Sequence, residues 1–495
     1  MAQWPAFRGP NGNGTSNARI RTDWSVNPPR VLWRKGAAEN LQGGFSSISV
    51  GGGRLFTMVK RNIDGMAQEV CVALDAETGK ELWAKPLGPA NYNLGGDQGA
   101  PGNTGGDGPR STPTLSGNKV YVFTAWLRLA CLDTQDGRIV WSVDFTRPPY
   151  EAPVIEWQNA ASPLVVDGLV IVNCNAPSGR IVALNAETGA VVWRKHDDKM
   201  THSTPVLAEF TGVRQVLFYA QSGLVSVDPA TGNPFWRHSC SYNNVCVAAS
   251  PVVWGDLVYC SAAYSTGARV VRVSKSGSTF TATQVRRTPG QFQNQWVTPV
   301  CHEGYLYGIF GAGEYGTAPL KCVKLDTLEE QWSQSGFGPG GVLLVRDKLI
   351  VLADNGTLVV VEPTPELYIE LARFKALSGK CWNVPAVTDG RIYARSTTEI
   401  VALDVSVPPP PPIRLELVQI VPEGKLRVQI RNQDGTPISA ERLSNLQVLT
   451  SQDVKAPIET WDKLTDQLRL DNGMAYAEET VEASSKRFFI VVEYE

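Results

Sequence analysis

One eleven-residue pattern recurs along the chain and limits what it can fold into. Residues 73–83 read Ala73-Leu74-Asp75-Ala76-Glu77-Thr78-Gly79-Lys80-Glu81-Leu82-Trp83. Related stretches occupy 131–141, 183–193 and 226–236, and a copy two residues shorter occupies 324–332. The interval from Trp236 to Trp332 is about twice the others, which places one degenerate copy between them. The parts of the pattern have separable jobs. The side chains of Asp75, Asp133, Asn185 and Asp228 can accept from backbone N–H groups two residues on and so open a turn. Gly79, Gly137, Gly189 and Gly232 supply the positive φ that a tight hairpin needs. Trp83, Trp141, Trp193, Trp236 and Trp332 then fall inside the following strand. A large aromatic at the same point of each unit suits packing between neighbouring sheets.

A second element precedes each pattern: Ser or Thr, Pro, a short apolar run, Gly or Asp, and a second apolar run. It is seen at Thr112-Pro113, Ser162-Pro163, Thr204-Pro205, Ser250-Pro251 and Thr298-Pro299. Weaker copies start near Ser47, Gly341 and Val384-Pro385. Together these give eight units of four short strands each. Such units in series predict an all-β, eight-bladed propeller. The last unit stops at Ala402-Leu403-Asp404 without its turn and Trp, while Val31-Leu32-Trp33-Arg34 looks like the missing strand. Residues 31–35 are therefore expected to complete the eighth blade and remove two open sheet edges. The expected organisation is an N-terminal arm over 1–30, the propeller over 31–405, a polyproline linker over 406–413 and a small immunoglobulin-like β-sandwich over 414–495. That last part shows strand-like runs at Leu415–Leu417, Leu426–Ile430, Leu446–Leu449 and Phe488–Val492.

Composition removes several alternatives. The 495 residues are 43% hydrophobic and 19% charged, with 46 Gly and 33 Pro, which argues against disorder and against a coiled coil. A net charge of −2 carries no footprint for nucleic acid, and no apolar run is long enough to span a membrane. Nine cysteines leave at least one unpaired within the chain. Most sit in strand-like runs as small hydrophobes, while Cys240 and Cys246 are candidates for a small disulfide loop. The opening Met1-Ala2-Gln3-Trp4 has neither the basic nor the apolar region of a secretory leader. A cytosolic protein and a mature exported domain are the two readings left open.

The Asp-x-x-Thr-Gly-x-x-x-Trp repeat resembles the tryptophan-docking motif of quinoprotein alcohol dehydrogenase-like propellers, over residues 31–404. The opening Trp4-Pro5-Ala6-Phe7-Arg8-Gly9-Pro10-Asn11-Gly12-Asn13-Gly14 is similar to the start of secreted PQQ-like repeat proteins. Leu449–Asp453, Trp461, Leu470–Gly473 and Arg487–Phe489 resemble a C-terminal module of verrucomicrobial exported proteins. The resemblance implies a periplasmic or extracellular location. It also implies one of two occupations. Some members bind pyrroloquinoline quinone with calcium and oxidise alcohols or sugars. Others bind no cofactor and dock partner proteins.

Aligning the loops that enter the innermost strands gives a candidate ring at the channel mouth. Its members are Phe45, Arg110, Asn159, His202, Asn244, Gln295, Trp296, Trp382 and Asn383. Arg110 could fork onto a carboxylate, and Trp296 and Trp382 could stack on a planar ligand. No Asp or Glu aligns in the ring, whereas calcium demands oxygen ligands. There is also no adjacent Cys pair, no Asp aligned as a general base and no C-x-x-C-H haem motif. Carboxylates from loops that do not align, such as Asp107, Glu156 and Glu314, would have to converge on Arg110 and Trp382 for an enzyme. His196, His238 and His302 show no metal-ligand spacing, and no metal site is expected. The Gly-rich stretch 86–110 ranks second as a site. The leading expectation is a non-catalytic binding or scaffold protein with no required cofactor and with a protein or glycan partner. A quinone-dependent oxidoreductase and an architectural module of a cell-surface assembly are the alternatives.

Overall fold

The computed structural model describes residues 3–41, 43–92, 108–240, 247–311, 318–421, 425–480 and 487–494. It divides into two compact units, Met1–Val407 and Pro408–Glu495. Among the described residues no helix is long and apolar enough to cross a membrane.

The first unit is an eight-bladed propeller whose blades are four-stranded antiparallel sheets, the seventh extended by one short parallel strand from the N-terminal arm. Blade 1 runs Ser49–Gly51, Arg54–Ile63, Met66–Asp75, Glu81–Pro89. Blade 2 begins at Thr114–Ser116, blade 3 at Leu164–Val166, blade 4 at Val206–Phe210 and blade 5 at Val252–Trp254. Blade 6 begins at Val300–His302, blade 7 at Gly341–Val345 and blade 8 at Ala386–Thr388. Blade 8 takes its fourth strand from the N-terminus. Arg30–Lys35 pairs antiparallel with Ile400–Asp404, with Trp33 opposite Ala402. The ring is thus closed by an N-terminal strand, as the missing turn and Trp of the last repeat predict.

The repeat chemistry explains how blades adhere. Asp75 Oδ1 accepts from the backbone N–H of Glu77 and Thr78 and from the Thr78 hydroxyl at 2.7–3.1 Å. Asn185 repeats this set, and Asp228 and Asp133 repeat parts of it. Each Trp then reaches across to the next blade's turn. Trp33 Nε1 donates to Ala76 O at 3.1 Å, Trp83 to Thr134 O at 3.0 Å, and Trp141 to Ala186 O at 2.9 Å. Trp193 donates to Pro229 O at 2.9 Å and Trp332 to Thr364 O at 2.8 Å. The indoles of Trp33, Trp83, Trp141 and Trp193 lie flat on Gly79, Gly137, Gly189 and Gly232, where a Cβ would meet the ring at 2.5–2.6 Å. Glycine is required there for contact as well as for φ. Trp236 departs from the series: blade 5 lacks the turn, and the indole donates instead to Gln215 Oε1 in its own blade.

Gly137→Ala is expected to cost about 2–4 kcal/mol, combining strain at φ +71 with the indole clash. Gly117, at φ +58 with nothing near its missing Cβ, is the control, with an expected cost of about 1 kcal/mol on substitution by Ala. Urea melts of the two variants check this. Equal losses would show that the indole contact contributes nothing.

The Ser/Thr-Pro element has a second job. Near the axis its hydroxyls form a belt between blades. Val384 N donates to Ser47 Oγ, Ser47 N to Thr112 Oγ1, Thr112 N to Ser162 Oγ, and Ser162 N to Thr204 Oγ1, all at 2.9–3.2 Å. Ser250 N continues the pattern onto Thr298 Oγ1 at 2.9 Å. Backbone N–H groups buried at the convergence of blades need partners, and a short hydroxyl side chain from the next blade supplies one.

The N-terminal arm crosses the ring. Trp4 bridges to Val50 in blade 1 and Leu115 N of blade 2 donates to Pro5 O. Arg8 reaches the carbonyls of Thr298 and Pro299 beside blade 6. Thr15–Ser16 then pairs parallel with the first strand of blade 7. A cavity of about 300 Å³ lies between Pro5–Gly12 and the first strands of blades 2 to 4.

Among the described residues the second unit contains two antiparallel sheets. One holds Ile413–Val421, Lys425–Asn432, Met474–Thr480 and Arg469–Asp471, and the other Asp462–Lys463, Leu446–Ser451 and Phe488–Glu493. Val428, Ile430, Leu446, Val448 and Ala475 form their common core. A single helical turn, Ala440–Ser444, is capped by Ser439, whose hydroxyl accepts from Arg442 N.

Candidate functional site

In a four-stranded meander, the crossings from a fourth strand to the next first strand and the turns between second and third strands share one end. That end is the rim aligned above, and its residues sort into two clusters.

The first is aromatic. Phe45, before blade 1, stacks on Trp382, before blade 8, with centroids 5.3 Å apart at 24°. Trp296, before blade 6, lies 4.5 Å from Trp382 at 38° and donates its indole N–H to Pro339 O at 3.1 Å. All three rings are half-buried. The Lys380 ammonium sits 4.4 Å from the Trp382 ring centroid and 5.8 Å from that of Phe45. Lys380 is only 5% exposed, so its charge faces the rings in a water-poor setting that strengthens the cation–π contact. Beside it, Asn383 is 6% exposed and neither its Oδ1 nor its Nδ2 has a hydrogen-bond partner among the described residues. Gln295 Nε2 donates to the Tyr264 hydroxyl at 2.9 Å, while its Oε1 has no partner among the described residues.

The second cluster is polar and spans blades 1 to 4. Arg110 Nη1 donates to Trp157 O at 2.8 Å and the guanidinium lies 5.7 Å from the Tyr92 ring centroid. Tyr92 donates its hydroxyl to Glu69 Oε1 at 2.8 Å, and Ala125 N donates to Oε2 at 3.0 Å. Glu69 is fully buried, and burial pushes its carboxyl up to about 7 against the pull of those donors and Arg110. His202 Nε2 lies 2.9 Å from Glu156 O, which fixes that nitrogen as the donor. Burial and Arg110 lower the His202 imidazole to about 4, so it is neutral near pH 7.

Three expectations change here. Trp382 stacks on Phe45 and packs at a tilt against Trp296, so the two tryptophans are not an open pair awaiting a flat ligand. Asn159 is not presented to a ligand: its Nδ2 lies 3.1–3.3 Å from the carbonyls of Phe123, Thr124 and Ala161, and its Oδ1 accepts from Ala161 N. A carboxylate does belong to the rim, because Glu69 joins from the third strand of blade 1, which loop alignment does not sample. Its sequence signal was a Glu abutting the apolar run Val70–Leu74. Lys380, two residues before Trp382, was likewise outside the aligned set. Asn244, Asp107, Glu314 and residues 93–107 of the Gly-rich stretch lie outside the described residues, as does Cys246. Glu156 is exposed and contributes its backbone carbonyl.

Among the described residues, these features do not fit pyrroloquinoline quinone with calcium. Both neighbours of Trp382 are protein rings. The buried carboxylate is held toward its neutral form, whereas a carboxylate that ligates calcium is ionised. Among the described residues no group of three or more His, Cys, Asp or Glu is placed to hold a metal.

The pH consequence is signed. Glu69 has a folded value above its unfolded one, so the folded state holds the extra proton between about 4.5 and 7. Its contribution is present below that window and is lost as pH rises through it. Glu69→Gln is expected to remove this slope, so its stability relative to the parent rises by about 2–3 kcal/mol from pH 4.5 to 8. Urea melts across that range check it, and a pH-independent difference would refute a neutral Glu69. His202 runs the other way, losing stability as pH falls from 6.5 toward 4.

Residues 66–301 match the PQQ_2 family model, described as outer membrane protein assembly factor BamB. BamB of Moranella endobia is 24% identical over 293 residues, covering 58% of each chain. BamB of Yersinia pestis is 24% identical over 264 residues, covering 50% of this chain and 60% of its own. The chain thus spans less than two thirds of the length of these relatives. A quinohemoprotein alcohol dehydrogenase of Pseudomonas putida is 30% identical over 148 residues, 28% of this chain and 19% of its own. The solved structure of BamB from Moraxella catarrhalis shares the fold, with a TM-score of 0.50 at 15% identity over 76% of this chain and 97% of that one.

Proposed function

We propose, from the premise that this propeller carries a BamB-like PQQ repeat domain homologous in part to quinoprotein alcohol dehydrogenases, that the protein is a non-catalytic docking scaffold working outside the cytoplasm. Its ligand is a protein segment received on the aromatic rim. The observation that carries this reading is the three-ring shelf of Phe45, Trp382 and Trp296, backed by the Lys380 ammonium. Half-buried aromatics are the side chains that dominate protein interfaces, since they bury large area at little entropic cost. The unpartnered amide of Asn383 adds a hydrogen-bonding group of the kind a backbone N–H or carbonyl can satisfy. The relatives named as outer membrane protein assembly factors support a protein partner and a periplasmic location. The C-terminal unit is read as an immunoglobulin-like sandwich that spaces or anchors the propeller.

A photo-reactive residue at Phe45 is expected to cross-link a defined partner in cells, and the same residue at exposed Glu209 is not. Trp382→Ala should abolish the cross-link while changing the melting temperature little, because the ring lies outside the blade cores. Equal cross-linking from both positions would overturn the reading. The dehydrogenase homology supplies a second reading, tested by titrating pyrroloquinoline quinone with calcium. Saturable tryptophan quenching with dye reduction by simple alcohols would establish it. A glycan that competes at the shelf would replace the protein partner.

A further inference from the structure

Cys240 and Cys260 come together from two blades. Cys240 lies just past the fourth strand of blade 4, Pro234–His238, and Cys260 lies in the second strand of blade 5, Leu257–Ala262. Both are buried thiols, and Cys260 Sγ donates to Cys240 Sγ at 3.6 Å. Arg269 stands opposite Cys260 in the ladder and donates to Ser239 O, next to Cys240. Arg287 stands opposite Arg269 in turn. A cavity about the size of one water, lined by both sulfurs and both arginines, adjoins the pair.

We propose that Cys240 and Cys260 are a redox-active pair whose disulfide joins blades 4 and 5. The seam they would cross is the one where Trp236 finds no partner turn in the next blade and bonds to Gln215 instead. A covalent link there would supply an attachment that the repeat chemistry omits. The order of events follows from the electrostatics. The hydrogen bond from Cys260, with Arg269 nearby, lowers the Cys240 thiol below the ordinary cysteine value, while the same contact and burial raise Cys260. Cys240 is therefore the attacking thiolate. It attacks one sulfur of an external disulfide, breaking that bond and expelling one thiolate. Cys260 then gives up its proton and attacks the Cys240 sulfur, expelling the second thiolate. The two protein thiols are oxidised, the external disulfide is reduced to two thiols, and the two protons pass to the leaving thiolates.

The inference is independent of the docking function. The full chain is equilibrated in oxidised and reduced glutathione mixtures, alkylated, denatured, and cleaved after Tyr242 and between the strands for mass mapping. The expected product links the Cys240 and Cys260 peptides and withdraws two of the nine thiols from alkylation. Oxidation is expected to raise the melting temperature by about 3 °C, and Cys240→Ser and Cys260→Ser should each abolish that rise. Cys240 found linked to Cys246, capped by glutathione or still alkylated would overturn the proposal. The mapping is read on the unsubstituted chain, so it stands even if a serine variant fails to fold.

Discussion

A chain starting at Gly36 is expected to lose cooperative unfolding of the propeller. The strand it lacks, Arg30–Lys35, does two jobs. It supplies the outer partner of Ile400–Asp404, so its removal leaves a row of unpaired backbone groups along an open edge. It also carries Trp33, 7% exposed, whose ring covers Gly79 and whose N–H bonds Ala76 O across to blade 1. Loss of a buried Trp alone costs about 3–5 kcal/mol. That is comparable with the whole stability of many domains, about 5–15 kcal/mol, and the edge and arm are lost in addition. Calorimetry of the truncated and full chains decides it. Trp33→Ala is the milder variant and should lower stability by about 3–5 kcal/mol while leaving the fold intact. A truncated chain with an unchanged melting temperature would mean that the ring closes without this strand.

Arg8→Met is expected to cost about 3 kcal/mol and to release the arm. Arg8 is 1% exposed. It donates Nη1 to Thr298 O and Nη2 to Pro299 O and Asn13 O, the latter two at 2.8 Å. Burial depresses its guanidinium to about 9. The buried carbonyls of Thr298 and Pro299 would lose charge-assisted donors, which is the costly case for a hydrogen bond. Gly14, whose missing Cβ leaves room for the guanidinium at 2.7 Å, is fitted to this side chain. Lysine has no planar fork, so Arg8→Lys should not rescue. Urea melts give the energy, and limited proteolysis within residues 3–30 reports the arm. An arm equally protected in Arg8→Met would show that Trp4 and Thr15–Ser16 hold it unaided.

The blade count and the closure were legible because they rest on local chemistry. An Asp or Asn opens a turn, a Gly tolerates positive φ, and a Trp follows at fixed distance, so each unit declares itself within eleven residues. The missing turn after Asp404 and the lone Trp33 were enough to predict the pairing of two segments far apart in the chain. The Ser/Thr-Pro element was visible as a repeat, but its hydroxyl belt was not, since each hydroxyl serves the neighbouring blade and never its own.

The rim was legible as a set of positions and illegible as an arrangement. Phe45, Trp296 and Trp382 were placed at one end of the ring by the repeat alone. Which of them touch was decided by three blades converging near the axis, and the answer was a row in which Trp382 lies against both Phe45 and Trp296. Glu69 entered from a strand and Lys380 from beyond the aligned positions, and both acquired their character from burial, a property of the surroundings. The same holds for the sulfurs of Cys240 and Cys260 and for the arm that carries Arg8 across to blade 6. By itself the sequence determined the repeating unit, its number and the closing strand, because those follow from hydrogen bonds and φ preferences a few residues apart. Only the tertiary structure decided which side chains of different blades meet, because desolvation and contact across a closed ring depend on every blade at once.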